Sequence, residues 1–166
     1  MSPRPELSMS MQDIRAFIRE PHTGVLSTIG PQGFPHSVGI FYIPELSEPL
    51  ELHMWVYGKS QKARNVERRA EASVLVEHGE PYADLRGVLI SGTARIERAP
   101  ERVLELGKAI YERYFLPRTG IALEDAPLAN IERQALKRVN LVLTAVRFAS
   151  WDHAKGRDTI TDGGRA

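Results

Sequence analysis

One tight turn limits the fold of this chain more than any other stretch. Gly30-Pro31-Gln32-Gly33 puts Pro at the second and Gly at the fourth position of a turn, and runs rich in β-formers flank it, Gly24–Ile29 before and residues 34–43 after. Strands this close have no room for a crossover helix, so they pair antiparallel, which argues against a doubly wound parallel sheet. In the first run Val25, Ser27 and Ile29 face one way, Leu26 and Thr28 the other. In the second, Gly39 interrupts the pattern and marks a bulge or a close backbone approach.

The remaining periodicities extend this start. Ser10, with Asp13 three residues later, opens a short helix whose stripe is Ile14, Phe17 and Ile18, and Pro21 ends it. Residues 50–57, 73–77, 85–97 and 140–149 read as strands; residues 60–70 and 100–115 read as helices, the latter with Pro100 in its first turn. Residues 116–130 form a looser stretch with Pro117, Gly120 and Pro127. Six strands with short connections predict a mainly β protein with flanking helices, built as a small antiparallel barrel. At 166 residues the chain is one domain, with a core over residues 10–155 and a Gly/Asp/Thr/Arg-rich tail, 156–166, expected to be disordered. A chain of this size buries roughly two-thirds of its unfolded surface and needs no metal or disulfide staple.

Composition removes several functions. With no cysteine there is no disulfide framework, Cys-based zinc site, iron–sulfur cluster or thiolate nucleophile. A net charge of +1 gives no broad attraction to nucleic acid or anionic membrane. The first ten residues lack an apolar signal segment, and no apolar run approaches the ~20 residues of a membrane span, so a cytoplasmic location is expected. There is no dinucleotide fingerprint, Walker loop or nucleophile elbow. The five histidines never fall at metal-ligand spacing, so a metal site would need distant parts of the chain to converge. Trp55 and Trp151, judged singly, suit a core or an interface as well as a ligand wall.

The balanced total charge hides a local excess. From Gly58 to Glu71 the chain carries five Lys+Arg against two Glu. Ser60 is placed to cap the helix that follows, where free amides and the helix dipole favour an anion. Lys59 and Lys62 sit in or beside the same first turn, where their charge opposes that dipole unless an anion is bound. The pattern fits a phosphate site and equally a capped surface helix with solvated basic residues. A cofactor enzyme is compatible with the lack of catalytic motifs, because hydride chemistry resides in a bound ring and the protein supplies orientation and exclusion of water.

Four runs carry a resemblance: Gly24-Val-Leu-Ser-Thr-Ile-Gly-Pro-Gln-Gly-Phe-Pro-His36; Lys59-Ser-Gln-Lys-Ala-Arg-Asn65 with Ala72-Ser-Val-Leu-Val76; Leu85-Arg-Gly-Val with Gly92-Thr-Ala; and Ser150-Trp-Asp-His-x-Lys155. Together they resemble the flavin and deazaflavin oxidoreductases of split β-barrel fold, the superfamily of pyridoxamine 5′-phosphate oxidase-like proteins. The second and last runs look most like the actinobacterial branch associated with coenzyme F-420, a deazaflavin. The resemblance implies a six-stranded antiparallel split β-barrel and a homodimer with cofactor sites at the subunit interface. By position, Ser60 and Lys62 would hold the cofactor phosphate, with Lys59 and Arg64 beside them. Ser37, Val38 and Gly39 would line the ring through their backbone, and Trp55 and Val56 would flank ring and phosphate arm. Trp151 and Lys155 would approach from the other subunit.

The departures from the family pattern also inform. Gln61 stands where the oxidases proper carry a phosphate-binding Arg, Gly87 where they carry a Gln near the ring, and Val56 where a hydroxyl residue is frequent. The chain ends soon after Trp151, without the oxidase's substrate-binding segment. These differences argue against pyridoxamine phosphate oxidation and favour F-420 over flavin mononucleotide (FMN). The implied function is hydride transfer between F-420 and a small organic substrate. An FMN-dependent enzyme of the same fold and a non-catalytic flavin or haem binder are the alternatives.

Overall fold

How the strands join into one sheet is visible in a computed structural model, which describes residues 5–124 and 127–156. The strands are β1 (Gly24–Ile29), β2 (Pro35–Ile40), β3 (Ile43–Glu45), β4 (Glu51–Tyr57), β5 (Glu71–His78), β6 (Arg86–Glu97) and β7 (Arg138–Asp152). The helices are α1 (Met11–Arg19), α2 (Gln61–Arg68), α3 (Pro100–Tyr114), α4 (Leu116–Thr119) and α5 (Pro127–Ala135). All strand pairs are antiparallel in one seven-stranded sheet, β2-β1-β5-β6-β7-β4-β3. No described helix is long and apolar enough to cross a membrane.

The turn behaves as its residues require. Gly33 N–H donates to Gly30 O (3.0 Å), Gly30 N–H donates to Phe34 O (2.8 Å), and Gly33 adopts φ +87°. This is a three-residue hairpin loop whose last position needs glycine. The strand expected over residues 34–43 is a correction: it splits at Phe41-Tyr42 into β2 and β3, giving seven strands rather than six. Tyr42 is 0 % exposed, and its hydroxyl donates to Ile18 O (3.2 Å). Burying this residue turns the chain from one sheet edge to the other. Because β2 and β3 are those two edges, a link of two residues forces the sheet to curl until they nearly meet, while the barrel stays open.

Of the two readings of Gly39, the bulge is not formed there. β1 and β2 pair in unbroken register through Val25 and Gly39, whereas the β6–β7 register slips at Ser91/Gly92. A Cβ on Gly92 would fall 1.9 Å from Thr144 O, so only glycine allows the approach. The slip bends the two longest strands and carries the sheet from β5 round to β4.

Alternation fills the interior. Leu26, Val74, Val76, Val88, Ile90, Leu52, Met54 and Leu141 point inward, and α1 adds Ile14, Phe17 and Ile18 to the same core. The expected capping box of α1 is formed, Ser10 Oγ accepting from Asp13 N–H and Asp13 accepting from Ser10 N–H, both at 3.1 Å. Against the other face of β4 lies α3, where Leu106, Ile110 and Tyr114 pack with Phe41, Ile43 and Trp55. β4 is thus covered on both faces, with Leu52, Met54 and Val56 buried on one side and Trp55 packed against α3 on the other. The loose stretch 116–130 contains α4 and the start of α5, the second correction. Gly156 closes a 3-10 turn (His153–Gly156), and the rest of the expected disordered tail, 157–166, lies outside the described residues.

Candidate functional site

Between β4, the end of β2 and the α3–α5 pair lies a cavity of about 790 Å³, a volume usual for small-molecule sites. Five aromatic side chains line it: Phe41, Trp55, Tyr57, Tyr111 and Phe115. Its floor includes Gly39, where an added Cβ would meet no atom within 4 Å. The cavity's charged lining residues are Lys62 and Arg138. Burial lowers the pKa of Lys62, and repulsion from Arg138 adds to the effect. Burial likewise lowers that of Arg138. Among the described residues neither cation has a carboxylate within ion-pair distance.

The neutral donors repeat that imbalance. Ser60 is the N-cap of α2, with φ −71° and ψ 157°, yet its hydroxyl makes no cap bond and is buried without a partner. The expected Ser60 side-chain cap is thus corrected: the position holds and the bond is absent. Trp55 Nε1 and Arg138 Nε are also buried and unpartnered. Buried polar groups are nearly always satisfied. Three orphaned atoms that can donate, one of them on Arg138, and the absence among the described residues of a carboxylate beside Lys62 and Arg138 suit a ligand rich in acceptors and negative charge. Gln61, by contrast, is engaged within its helix, its amide donating to Asn65 Oδ1 (2.7 Å). Buried Asn65 in turn donates to Thr28 Oγ1 (2.9 Å), tying α2 to β1.

The fold therefore brings Gly39, Trp55, Val56 and Lys62 to one cavity, with Ser60 at the head of the helix that carries Lys62. The other sequence candidates lie elsewhere in this chain. Ser37 is exposed, its hydroxyl 2.9 Å from that of Ser27, and Val38 packs on the core. Lys59 lines a neighbouring cavity of about 1120 Å³, and Arg64 is exposed. Trp151 stands opposite Gly87, where an added Cβ would be 2.5 Å from its ring. Lys155 Nζ binds Ser8 O (3.2 Å) and Asp13 (3.0 Å).

Sequence reasoning missed Tyr57, Tyr111, Asn130, Gln134 and Arg138. The last three belong to α5 and the strand that follows. Pro127 at a first helical position, followed by Leu128, Ile131 and Ala135, was the available signal. The fold also gathers Glu45, Glu51 and His53, whose donor atoms lie within 4.8 Å of one another, a spacing open to a metal ion. Arg95 already forks onto Glu51 (2.7 and 3.1 Å), and Asn140 contacts His53 Nδ1 (3.0 Å), so the group is held as a polar network.

Comparison with known proteins agrees with this architecture. A conserved hypothetical protein from Mycobacterium tuberculosis is 35% identical, with TM-score 0.80 over 93% of this chain and 92% of its own. An F-420 reductase superposes with TM-score 0.61 at 20% identity, over 81% of this chain and 94% of its own. The heme storage protein of Vibrio cholerae gives 0.61 at 17% identity, over 87% and 95%. At such identities these last two show the fold alone. None of the curated proteins matches the sequence significantly. The sequence profile for pyridoxamine 5′-phosphate oxidase matches residues 10–152, so the chain belongs to the pyridoxamine 5′-phosphate oxidase family.

Proposed function

We propose that this protein is a dimeric oxidoreductase that moves a hydride between F-420 and a small unsaturated or conjugated organic substrate. The observation that carries the reading is an aromatic-walled cavity in which, among the described residues, Lys62 lacks a counter-ion and, at the head of the same helix, the buried Ser60 hydroxyl lacks a partner. A planar anionic cofactor answers each feature. When bound, a deazaflavin or flavin ring supplies the hydride chemistry. The chain's own residues do the rest: Ser60 and Lys62 hold the phosphate, Gly39 lets the ring lie close to the strand, and the aromatic side chains exclude water.

Two local features favour F-420 over FMN. Gln61, at the oxidases' arginine position, is bonded to Asn65 and offers no second phosphate cation. At Gly87 the Trp151 ring fills the space the oxidases' glutamine would need. Haem iron is usually held by His, Cys, Met or Tyr. Among the described residues Tyr57 and Tyr111 are the members of this set that line the cavity, so haem storage has less support.

The dimer is part of the same proposal. On the outer sheet face Val25, Leu75, Leu89 and Ala149 are cross-strand neighbours, and Val25 is 40 % exposed. A continuous apolar row of this kind suits burial against a second copy, which would carry Trp151 and Lys155 toward the partner's cavity. The test is reoxidation of reduced F-420, followed by the change in its fluorescence, with cyclohexenone as acceptor. Cofactor binding with turnover is expected. Tight FMN binding with no response to F-420 would overturn the cofactor, and binding without turnover by any acceptor would overturn the enzyme.

A further inference from the structure

We propose that Arg138 is the docking point for an acidic group of the substrate, so that this cavity takes planar or unsaturated organic acids. The inference rests on the oxidoreductase reading of this cavity proposed above, and it deepens that reading by placing the substrate beside the cofactor and naming its chemistry.

Arg138 stands where α5 gives way to β7. Its guanidinium lies over two rings, 4.2 Å from the centroid of Trp55 and 4.1 Å from that of Tyr57. Nη1 donates to Trp55 O (3.0 Å) and Nη2 donates to Gln134 Oε1 (2.8 Å). Gln134 is itself linked to Asn130 one turn back (3.4 Å), so a polar row along α5 fixes the head group. Five N–H bonds radiate from a guanidinium; Trp55 O, Gln134 and the Tyr57 hydroxyl engage part of them, and the buried Nε–H is left without an acceptor.

A half-buried guanidinium is a costly group to leave without a counter-charge. The aromatic faces offset part of that cost through cation–π attraction, and they also fix the plane of the fork. A planar, immobilised fork is the geometry that binds a carboxylate through two parallel hydrogen bonds. Ile110, Tyr111, Phe115 and Ile131 line the same cavity and offer an apolar bed for the rest of such a molecule.

The two cations of the cavity are set differently. Lys62 belongs to the first turn of α2, beside the unpartnered hydroxyl of Ser60, and suits a phosphate. Arg138 is oriented by Gln134 and by the carbonyl of Trp55, away from any helix N-terminus. Their mutual repulsion is relieved when each carries its own anion.

The experiment compares trans-cinnamate with its neutral amide, cinnamamide, on the cofactor-free protein. Binding is read by ¹H–¹⁵N correlation spectra of the Trp55 indole N–H and the Arg138 Nε–H, with Trp151→Phe used to assign the indole signal. Cinnamate is expected to bind at least tenfold more tightly than the amide. Arg138→Gln abolishes the preference, and Arg138→Lys, which keeps the charge, retains part of it. The F-420 and FMN affinities of Arg138→Gln stay within threefold of the parent. Equal binding of the two probes, binding of neither, or a preference that survives Arg138→Gln overturns the proposal. So does a loss of cofactor affinity in Arg138→Gln as large as that in Lys62→Ala, which would assign Arg138 to the cofactor phosphate. Failure of the parent protein to bind either cofactor strikes the functional reading instead and leaves the probe comparison intact.

Discussion

Replacing Tyr114 by Phe tests the contact that holds α3, and with it one wall of the cavity, to the link between β2 and β3. The Tyr114 side chain is 6 % exposed, and its hydroxyl lies 2.9 Å from His22 O and 3.0 Å from Tyr42 O while the Tyr42 N–H donates to it at 3.4 Å. A hydroxyl has one proton, so at any moment it donates to one of the two carbonyls and accepts from the amide. Removing it deletes about two hydrogen bonds, each worth about 1 kcal/mol, and adds part of the penalty for unpaired groups beside the fully buried Tyr42. The expected loss is about 2–3 kcal/mol. With a urea m value of about 2 kcal/mol/M, the unfolding midpoint falls by about 1–1.5 M at unchanged m. Tyr111→Phe is the control: its hydroxyl donates to Ile121 O (2.9 Å) in an exposed contact, and the expected change is below about 0.5 kcal/mol. A Tyr114→Phe midpoint within about 0.3 M of the parent, or no lower than that of Tyr111→Phe, would refute this account of how the two sheet edges are tied to α3.

Two further outcomes follow from particular residues. Gly39→Val places its side chain in open space on an extended strand, so stability should hold or rise by up to about 1 kcal/mol while cofactor affinity falls at least about tenfold. Denaturation and cofactor titration of the same sample check both halves, and an unchanged affinity would remove Gly39 from the ring wall. The Arg95 fork, aided by Thr144, holds the Glu51 carboxyl at about 2 against an ordinary 4.5. Because the folded state depresses this pKa, the stabilisation is complete above the ordinary value and is lost as pH falls toward 2. The full depression would be worth about 3 kcal/mol, and water around Arg95, whose side chain is 47 % exposed, reduces it to about 1–2 kcal/mol. Urea midpoints of the parent and Arg95→Met should therefore differ by that amount at about pH 7 and converge as pH falls from about 5 to about 2. A gap independent of pH would contradict the ion pair.

Features written in local chemistry were legible in the sequence, and features set by distant pairing were not. The hairpin follows from Pro31 and Gly33, and the start of α1 from Ser10 and Asp13; each is settled within four residues. The fate of residues 34–43 is decided by Tyr42 finding Ile18 O and Tyr114, partners far along the chain, so alternation alone showed one strand where there are two. Gly39 and Gly92 look alike in sequence, yet only Gly92 meets a carbonyl, because only the bent β6–β7 pair brings one there. At the site, the basic run at α2 exposed Ser60 and Lys62. Arg138 stayed hidden because a Lys137-Arg138 pair before a strand carries no local signal, and only tertiary packing stacks Arg138 on Trp55 and Tyr57.

The central claim is that this cavity holds an anionic ring cofactor whose phosphate lies on α2. Equilibrium titration of the parent and of Lys62→Ala with F-420, read by fluorescence, tests it most directly. Loss of one charged hydrogen bond predicts a weakening of about 1–3 kcal/mol, roughly 5- to 150-fold in Kd. Binding of equal strength in both proteins, or no binding by the parent to either F-420 or FMN, would contradict it.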